Sequence, residues 1–483
     1  MIPKLGPVFY VIGLLLLPLG AGMTIPAIVD AGDSNGDWRV FMVSAGVTII
    51  LGGMLMLTNR GRRFALDRRQ AFLLTSLSWT IVPAFAALPF TFAGLDMSYT
   101  AAYFEAMSGL TTTGATTLTG LDDMTSGILL WRALLHGFGG AGIIVIALAV
   151  LPFLRVGGMQ LFRLESSEQG EKVLPRATQI AIMTVSVYLG LVVLCVIAYW
   201  AAGMSFFDAI CYSMSTISTG GFGNHDSSIG FYDNLTIEAL GVLFMFCGGL
   251  PMVLFYRMLL RRDLRVIFSD QQVQLFFAIC LGGIVVLALW NHFGLGADAG
   301  SAFRHSGFVF VSLVTTTGLA STNYAAWGGL AEVILLMAML TGACTGSTTG
   351  GIKAFRFSML IGVLRTHMHR LNHPHSAESI MFNNRSVPEA VAFSALLLIV
   401  AFVVAFVAIA LAISAFGFDL LTSLSAAAST LGNTGGGLGP INGGGQFKAM
   451  PDGALWLLSF AMLLGRLELF TMLVLFTRRF WRG

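Results

Sequence analysis

Thr111-Thr112-Thr113-Gly114, Ile217-Ser218-Thr219-Gly220, Thr315-Thr316-Thr317-Gly318 and Gly432-Asn433-Thr434-Gly435 are four versions of one segment. Their final glycines lie 106, 98 and 117 positions apart. Each segment ends a short apolar stretch in hydroxyls or an amide followed by Gly. Near-equal spacing reads as one loop used four times. Backbone carbonyls from four such loops can ring an axis and replace the water around a dehydrated cation. Ser108, Ser312 and Ser429 each stand six residues before their Gly, while the second unit has Met214 at that place. A single Thr-Gly cluster is more often a turn or a small-residue packing surface. Four at regular intervals point to an ion pathway.

Composition places these loops in a membrane. The chain has a mean hydropathy of +0.82, and 11% of its residues are charged, against about 25% in soluble domains. Stretches almost free of charge cover 5–29, 40–58, 70–95, 133–154, 177–207, 239–256, 271–297, 333–352, 390–418 and 453–477. Each is near the roughly 20 residues that a helix needs to span a bilayer. The sequence therefore predicts ten crossings. The first run follows Lys4 and is longer than a signal-peptide core of roughly 7–15 residues, so it reads as a retained helix. Five cysteines are scattered without a C-x-x-C pair. They read as small buried residues, with no disulfide framework and no metal site.

Of the 27 Lys and Arg residues, most fall into six places. These are Lys4; Arg60, Arg62, Arg63, Arg68 and Arg69; Arg155, Arg163, Lys172 and Arg176; Arg257, Arg261, Arg262 and Arg265; Lys353, Arg356, Arg365, Arg370 and Arg385; and Arg478, Arg479 and Arg482. The alternate connections carry Asp30, Asp33 and Asp37 with Arg39, then Asp122 and Asp123, then Asp226 and Asp233. The positive-inside rule makes the basic set cytoplasmic, with both termini inside. All four Thr/Gly segments then enter from the outer side, each behind an apolar stretch too short to cross. The expected fold is an all-α integral membrane protein of ten transmembrane helices. Four re-entrant half-helix and filter loops form parallel pseudo-fourfold repeats. The expected divisions are 1–60, two helices outside the repeat; then 61–165, 166–265, 266–375 and 376–483, one repeat each.

The residue types suit a K+ filter. Gly permits φ > 0, which turns a carbonyl toward the axis. The candidate filter residues are Thr112, Thr113 and Gly114; Ser218, Thr219 and Gly220; Thr316, Thr317 and Gly318; and Asn433, Thr434 and Gly435. They include no carboxylate, which disfavours an acidic ring of the Ca2+ type. The half-helices direct their partly negative C-terminal ends toward the pore.

Over essentially its whole length the chain resembles the TrkH/KtrB superfamily of K+-translocating subunits, most of all its TrkH/TrkG/TrkI branch. The segments 111–116, 218–222, 315–320 and 432–435 carry the resemblance. So do residues 342–353 and Leu464-Gly465-Arg466-Leu467-Glu468-Leu469-Phe470-Thr471. The fourth segment departs from relatives by continuing Gly435-Gly436-Gly437, and the second ends in Gly223 where Ser is common. The resemblance implies K+ uptake across a bacterial inner membrane. It also implies a homodimer and a cytosolic ring of TrkA-like nucleotide-binding subunits that would grip the basic cytoplasmic segments. Nucleotide would act only through that partner, and K+ is the transported ion rather than a cofactor. Gly114 is retained where Ser would suggest Na+ permeation.

Gly342, Gly346, Ser347, Thr348, Thr349, Gly350 and Gly351 interrupt an apolar stretch, and each Gly weakens a helix by about 1 kcal/mol relative to Ala. With the resemblance, this reads as a mobile intramembrane gate. Arg466 lies deep in the last span, where a charge usually faces a cavity. It reads as a pore barrier that bonds the gate loop. Pairing with Glu468 is disfavoured, since residues two apart on a helix do not share a face. Glu105 and Asp208 read as structural acids of half-helices, and Arg132 and Arg304 as anchors or pairs. Asp122, Asp123 and Asp226 read as loop acids near the entrance. His367, His369, His373 and His375 form a basic loop cluster in which metal binding is disfavoured. A K+ symporter driven by H+ or Na+ remains an alternative to a gated conduit. No nucleophile-base set, metal-ligand pair or nucleotide fingerprint supports an enzyme.

Overall fold

The computed structural model describes residues 5–61, 67–150, 173–373, 379–441 and 446–482. Lys4, Arg62, Arg63, Arg155, Arg163, Lys172 and His375 lie outside the described residues. The chain is mostly helical. Among the described residues six helices are long and apolar enough to cross a membrane, or eight if each of two bent pairs is one span.

The helices Gly6–Gly32 and Trp38–Thr58 form an N-terminal pair. Gly13 and Gly52 let their backbones meet: a β-carbon at Gly13 would crowd the Gly52 carbonyl. Small residues bring apolar helices into such close contact where no hydrophobic effect drives them together. Buried Asp30 at the end of the first helix accepts a 2.7 Å hydrogen bond from the Gly127 amide. That bond satisfies a free donor at the start of helix Ser126–Val150 and fastens the pair to the rest of the chain.

Beyond it, long helices alternate with four short ones: Tyr99–Leu110, Phe206–Ile217, Ala299–Val314 and Leu420–Leu431. The first runs from the long helix Arg68–Ala86, and the last from Glu389–Ser414. Two large apolar cores and two smaller clusters lie among the described residues. One large core joins the N-terminal pair to the first and fourth short helices; the other surrounds the second and third.

Two apolar stretches that read as single spans are bent, and a third is broken where its glycines suggest. Leu235–Gly249 and Met252–Arg261 meet at 95°; Pro251 stands at the break as N-cap, where its missing N–H is not needed. Asp452–Arg466 and Phe470–Phe476 meet at 108°. There Glu468 and Leu469 take φ of 54° and 32°, a costly backbone for residues with a β-carbon. Gly329–Leu340 and Ala354–Asn372 are separated by the glycine-rich segment.

The expectation of an all-α chain is corrected at one place. Ile380–Phe382 pairs antiparallel with Arg385–Val387. Asn383 and Asn384 between them have φ of 47° and 60°, the paired left-handed turn that suits a two-residue hairpin. Asn383 also donates its backbone N–H to Gln271 and accepts that of Gln271, which docks the hairpin on helix Gln271–Leu289.

Candidate functional site

The four short helices start and stop alike. Ser98, Ser205, Asp298 and Asp419 cap them, each side chain accepting a backbone N–H two or three residues on. Such caps satisfy donors that the first turn leaves free. At the other end the amides of Thr113, Gly220, Thr317 and Thr434 donate to the carbonyls of Ser108, Ser215, Ser312 and Ser429, each at 2.8 Å. Just before these residues Thr112, Thr219, Thr316 and Asn433 take φ of 51°, 53°, 55° and 52°. Just after them Gly114, Gly221, Gly318 and Gly435 take φ of 83°, 92°, 77° and 72°. One loop geometry is therefore built four times. Three of its left-handed positions are threonines, and a β-branched residue there is strained.

This alignment corrects the second loop by one residue. The sequence reading matched Gly220 to Gly114, Gly318 and Gly435 as the glycine needing φ > 0. Gly221 holds that place, and Gly220 corresponds to Thr113, Thr317 and Thr434. A signal for this was present: Ser215 stands six residues before Gly221, as Ser108, Ser312 and Ser429 do before theirs. Gly220 is small for another reason, because a β-carbon there would strike the His136 ring.

The loops close into a ring. A β-carbon on Gly114 would overlap the carbonyl oxygen of Gly220. One on Gly221 would overlap that of Thr317, one on Gly318 that of Thr434, and one on Gly435 that of Thr113. The contacts run from first loop to second, third, fourth and back to first. Thr113, Thr317, Thr219, Asn433 and Thr434 are each fully buried. Close approach and left-handed backbone thus both exclude side chains at these four glycines.

Residues 341–353 pack directly against this ring. Thr341 and Ile352 bridge in parallel, so the segment doubles back on itself. Thr348 Oγ1 donates to the Ile217 carbonyl at 3.0 Å, and Thr219 Oγ1 donates to Thr348 Oγ1 at 3.2 Å. The Gly350 amide donates to Thr316 Oγ1 at 2.7 Å, and a β-carbon on Gly350 would strike the Gly432 carbonyl. The segment therefore touches the second, third and fourth loops. It also bonds the broken helix of the second repeat: Cys344 N–H reaches the Gly249 carbonyl at 3.1 Å, and Met252 N–H the Gly346 carbonyl at 3.2 Å. Gly346 and Gly351 have φ of 84° and 64°. Lys353 Nζ folds back onto the Thr349 carbonyl and hydroxyl.

Arg466 lies at the C-terminal end of helix Asp452–Arg466, is buried, and donates from Nη1 to the Thr348 carbonyl at 2.8 Å. Glu468 takes a different partner, Arg356 Nη2 at 2.9 Å. That pair joins the helix after the glycine-rich segment to the break in the last one.

The remaining charges connect loops. Glu105 and Arg132 form a buried ion pair at 3.0 Å. Asp208 accepts from Asn224 Nδ2 at 2.8 Å and Tyr232 Oη at 2.7 Å. Arg304 binds Glu238 and Asp233, both at 2.8 Å. Asp122 lies 2.5 Å from His225 Nδ1, and Asp226 accepts the Gly120 and Leu121 amides at 3.1 Å. Asp122 and Asp226 thereby clasp the chain after the first loop to that after the second. His225, stacked on Phe231 with ring centroids 3.6 Å apart, is a clasp residue that sequence reasoning missed. His369 stacks on His373 with centroids 4.5 Å apart.

A ring of buried loops in an apolar helical chain defines a membrane protein of the ion-transporting class. The profile of the TrkH family, cation transport proteins, matches residues 38–482. The Trk system potassium uptake protein TrkI of Halomonas elongata is 39% identical over 478 residues, covering 99% of this chain and 97% of that protein. The corresponding TrkH of Escherichia coli K12 is 38% identical over 477 residues, covering 98% of each. The crystal structure of the potassium transporter TrkH from Vibrio parahaemolyticus superposes with a TM-score of 0.92 at 34% identity, covering 99% of this chain and 100% of that one. The chain belongs to the TrkH family. Its relatives are transporter subunits, and the chain is not an enzyme.

Proposed function

We propose that this chain is the K+-conducting membrane subunit of a Trk-type potassium uptake system. The observation that carries this reading is the closed ring of four loops. Thr112, Thr113 and Gly114 contribute from the first loop, and Ser218, Thr219 and Gly220 with Gly221 from the second. Thr316, Thr317 and Gly318 contribute from the third, and Asn433, Thr434 and Gly435 from the fourth. Their carbonyls are neutral and replace the hydration shell of a large monovalent cation. The four segments contain no carboxylate or other ionisable group. This favours a gated conduit over a symporter with a titrating coupling site.

In this reading ten helices cross a bacterial inner membrane, with both termini cytoplasmic and the four short helices re-entering from outside. Each repeat then occupies one of the divisions 61–165, 166–265, 266–375 and 376–483. Gly342, Gly346, Ser347, Thr348, Thr349, Gly350 and Gly351 form the gate beneath the ring, and Arg466 holds it through Thr348. The chain works as a homodimer with a TrkA-like nucleotide-binding ring. That ring docks on the basic helix ending in Arg365 and Arg370, and no cofactor binds the chain itself. The TrkI and TrkH names of its relatives support the K+ assignment.

The test is ion uptake into liposomes containing the purified chain. The reading expects K+ and Rb+ to enter well ahead of Na+ and Li+. It also expects flux to change with nucleotide once the cytosolic partner is bound. Nucleotide-insensitive uptake in the presence of that partner would contradict the docking arrangement.

A further inference from the structure

Arg132 joins equivalent points of two neighbouring loops. Its Nη2 donates to Thr116 Oγ1 at 3.3 Å, and its Nη1 to the Gly223 carbonyl at 2.7 Å. Thr116 stands two residues after Gly114, and Gly223 two residues after Gly221, so both are the same position of the repeated loop. Nε binds Glu105 Oε1 at 3.0 Å. Glu105 in turn accepts the Thr116 hydroxyl at 2.8 Å and the Thr117 amide at 3.0 Å. Arg132 and Glu105 are 1% and 0% exposed.

Removing such a pair from water is costly, and its attraction repays this only when further hydrogen bonds saturate both groups. Here they do. The guanidinium Cζ also lies 4.2 Å from the centroid of Phe222, the residue between Gly221 and Gly223. One turn further along the same helix His136 stacks on Phe222 at 4.2 Å and presses against Gly220. The second-to-third joint is made by a neighbouring chain segment instead: the Gly230 amide donates to the carbonyl of Ala320, the matching residue of the third loop, at 3.1 Å, and the Ala320 amide donates to Ser228 Oγ at 3.3 Å. Level with Thr116 and Gly223 the bridge between the first and second loops is the one side chain of Arg132, while the clasp of Asp122, His225 and Asp226 lies further along the chain.

We propose that Arg132 is a positioning residue for ion discrimination, holding the first and second loops at a fixed separation through its fork of donors. The inference rests on the reading of the ring as a K+ filter. A ring held open to fit K+ penalises a smaller ion that cannot reach all its oxygens. A ring with one slack joint contracts around Na+, and discrimination falls while conduction persists. Planarity matters as much as charge, because a lysine ammonium cannot present the same donors to three partners at once.

The experiment measures K+ and Na+ uptake into proteoliposomes for the wild type, Arg132→Lys, the double variant Glu105→Gln/Arg132→Gln, and Thr116→Val. The first keeps the charge and loses the fork. The double variant removes both charges together. Thr116→Val preserves shape and the ion pair, and carries the test wherever the charge variants fail to fold. The K+/Na+ uptake ratio is expected to fall about tenfold in Arg132→Lys and the double variant, the factor set by about 1.4 kcal/mol. In Thr116→Val it falls less, in the same direction. In each case the ratio changes more than K+ uptake itself. Variants that elute like the wild type and keep its ratio would overturn the proposal, leaving Arg132 a folding residue. A wild-type ratio near one overturns both this proposal and the filter reading.

Discussion

Arg466 Nη1 donates to the backbone carbonyl of Thr348 at 2.8 Å, in the same segment whose Thr348 hydroxyl bonds Ile217 and whose Gly350 amide bonds Thr316. One arginine thus secures the glycine-rich segment from the side of the last helix while the loops secure it from theirs. In the proposed gate its charge would also oppose cations at that level. We expect Arg466→Ala to raise K+ flux about tenfold, as removal of about 1.4 kcal/mol from a barrier would. Flux assays on folded protein check this; unchanged or reduced flux would remove Arg466 from the gate.

The one-residue shift in the second loop separates two substitutions that look alike in sequence. Gly221→Ala puts a methyl on a backbone at φ 92° and into the Thr317 carbonyl. The left-handed backbone alone costs roughly 1–2 kcal/mol. Gly220→Ala meets the His136 ring instead. Combining Gly220→Ala with His136→Ala should therefore recover part of the lost K+ uptake, whereas Gly221→Ala should not be rescued by His136→Ala. Failure of His136→Ala to rescue Gly220→Ala, or its rescue of Gly221→Ala, would contradict the shifted alignment.

The clasp between Asp122 and His225 has a pH signature. The hydrogen bond with His225 holds the Asp122 carboxyl below its ordinary range, so the folded state favours the ionised form. Asp208 and Asp226 face the same cluster. A carboxylate depressed in the folded state contributes stability that is fully present above its unfolded value, about 3.9. That contribution is lost as pH falls through the lower folded value. Thermal unfolding in detergent should show the wild type losing more stability than Asp122→Asn on acidification below about pH 4. Parallel pH profiles for the two proteins would exclude a stabilising clasp.

Much of this architecture was legible because it repeats. Short apolar stretches ended by hydroxyls and Gly mark the four short helices. Their bounds Tyr99–Leu110 and Leu420–Leu431 follow from that pattern. Local pattern fails where a tertiary neighbour decides. Two adjacent glycines, Gly220 and Gly221, look interchangeable until His136 and Thr317 occupy the spaces beside them. The bend after Gly249 is hidden in a charge-free stretch, since backbone bonds to the glycine-rich segment compensate the break; Arg466 and Glu468 mark the second bend but not its angle. The sequence disfavours Glu468 as a partner of Arg466, but cannot name its actual partner, Arg356, more than a hundred residues away in sequence. Arg132 reads as an anchor or pair near a helix end, and it does pair with Glu105; only the folded loops reveal that its donors span two of them.

Selectivity shows most plainly in the ratio of K+ to Na+ uptake by the purified wild-type chain in liposomes, measured beside a sample carrying Arg466→Ala to relieve the proposed gate. The ring of neutral carbonyls predicts K+ and Rb+ uptake well above Na+ in both samples, since the gate lies outside the four glycine-centred loops. Equal K+ and Na+ uptake in both would contradict the account.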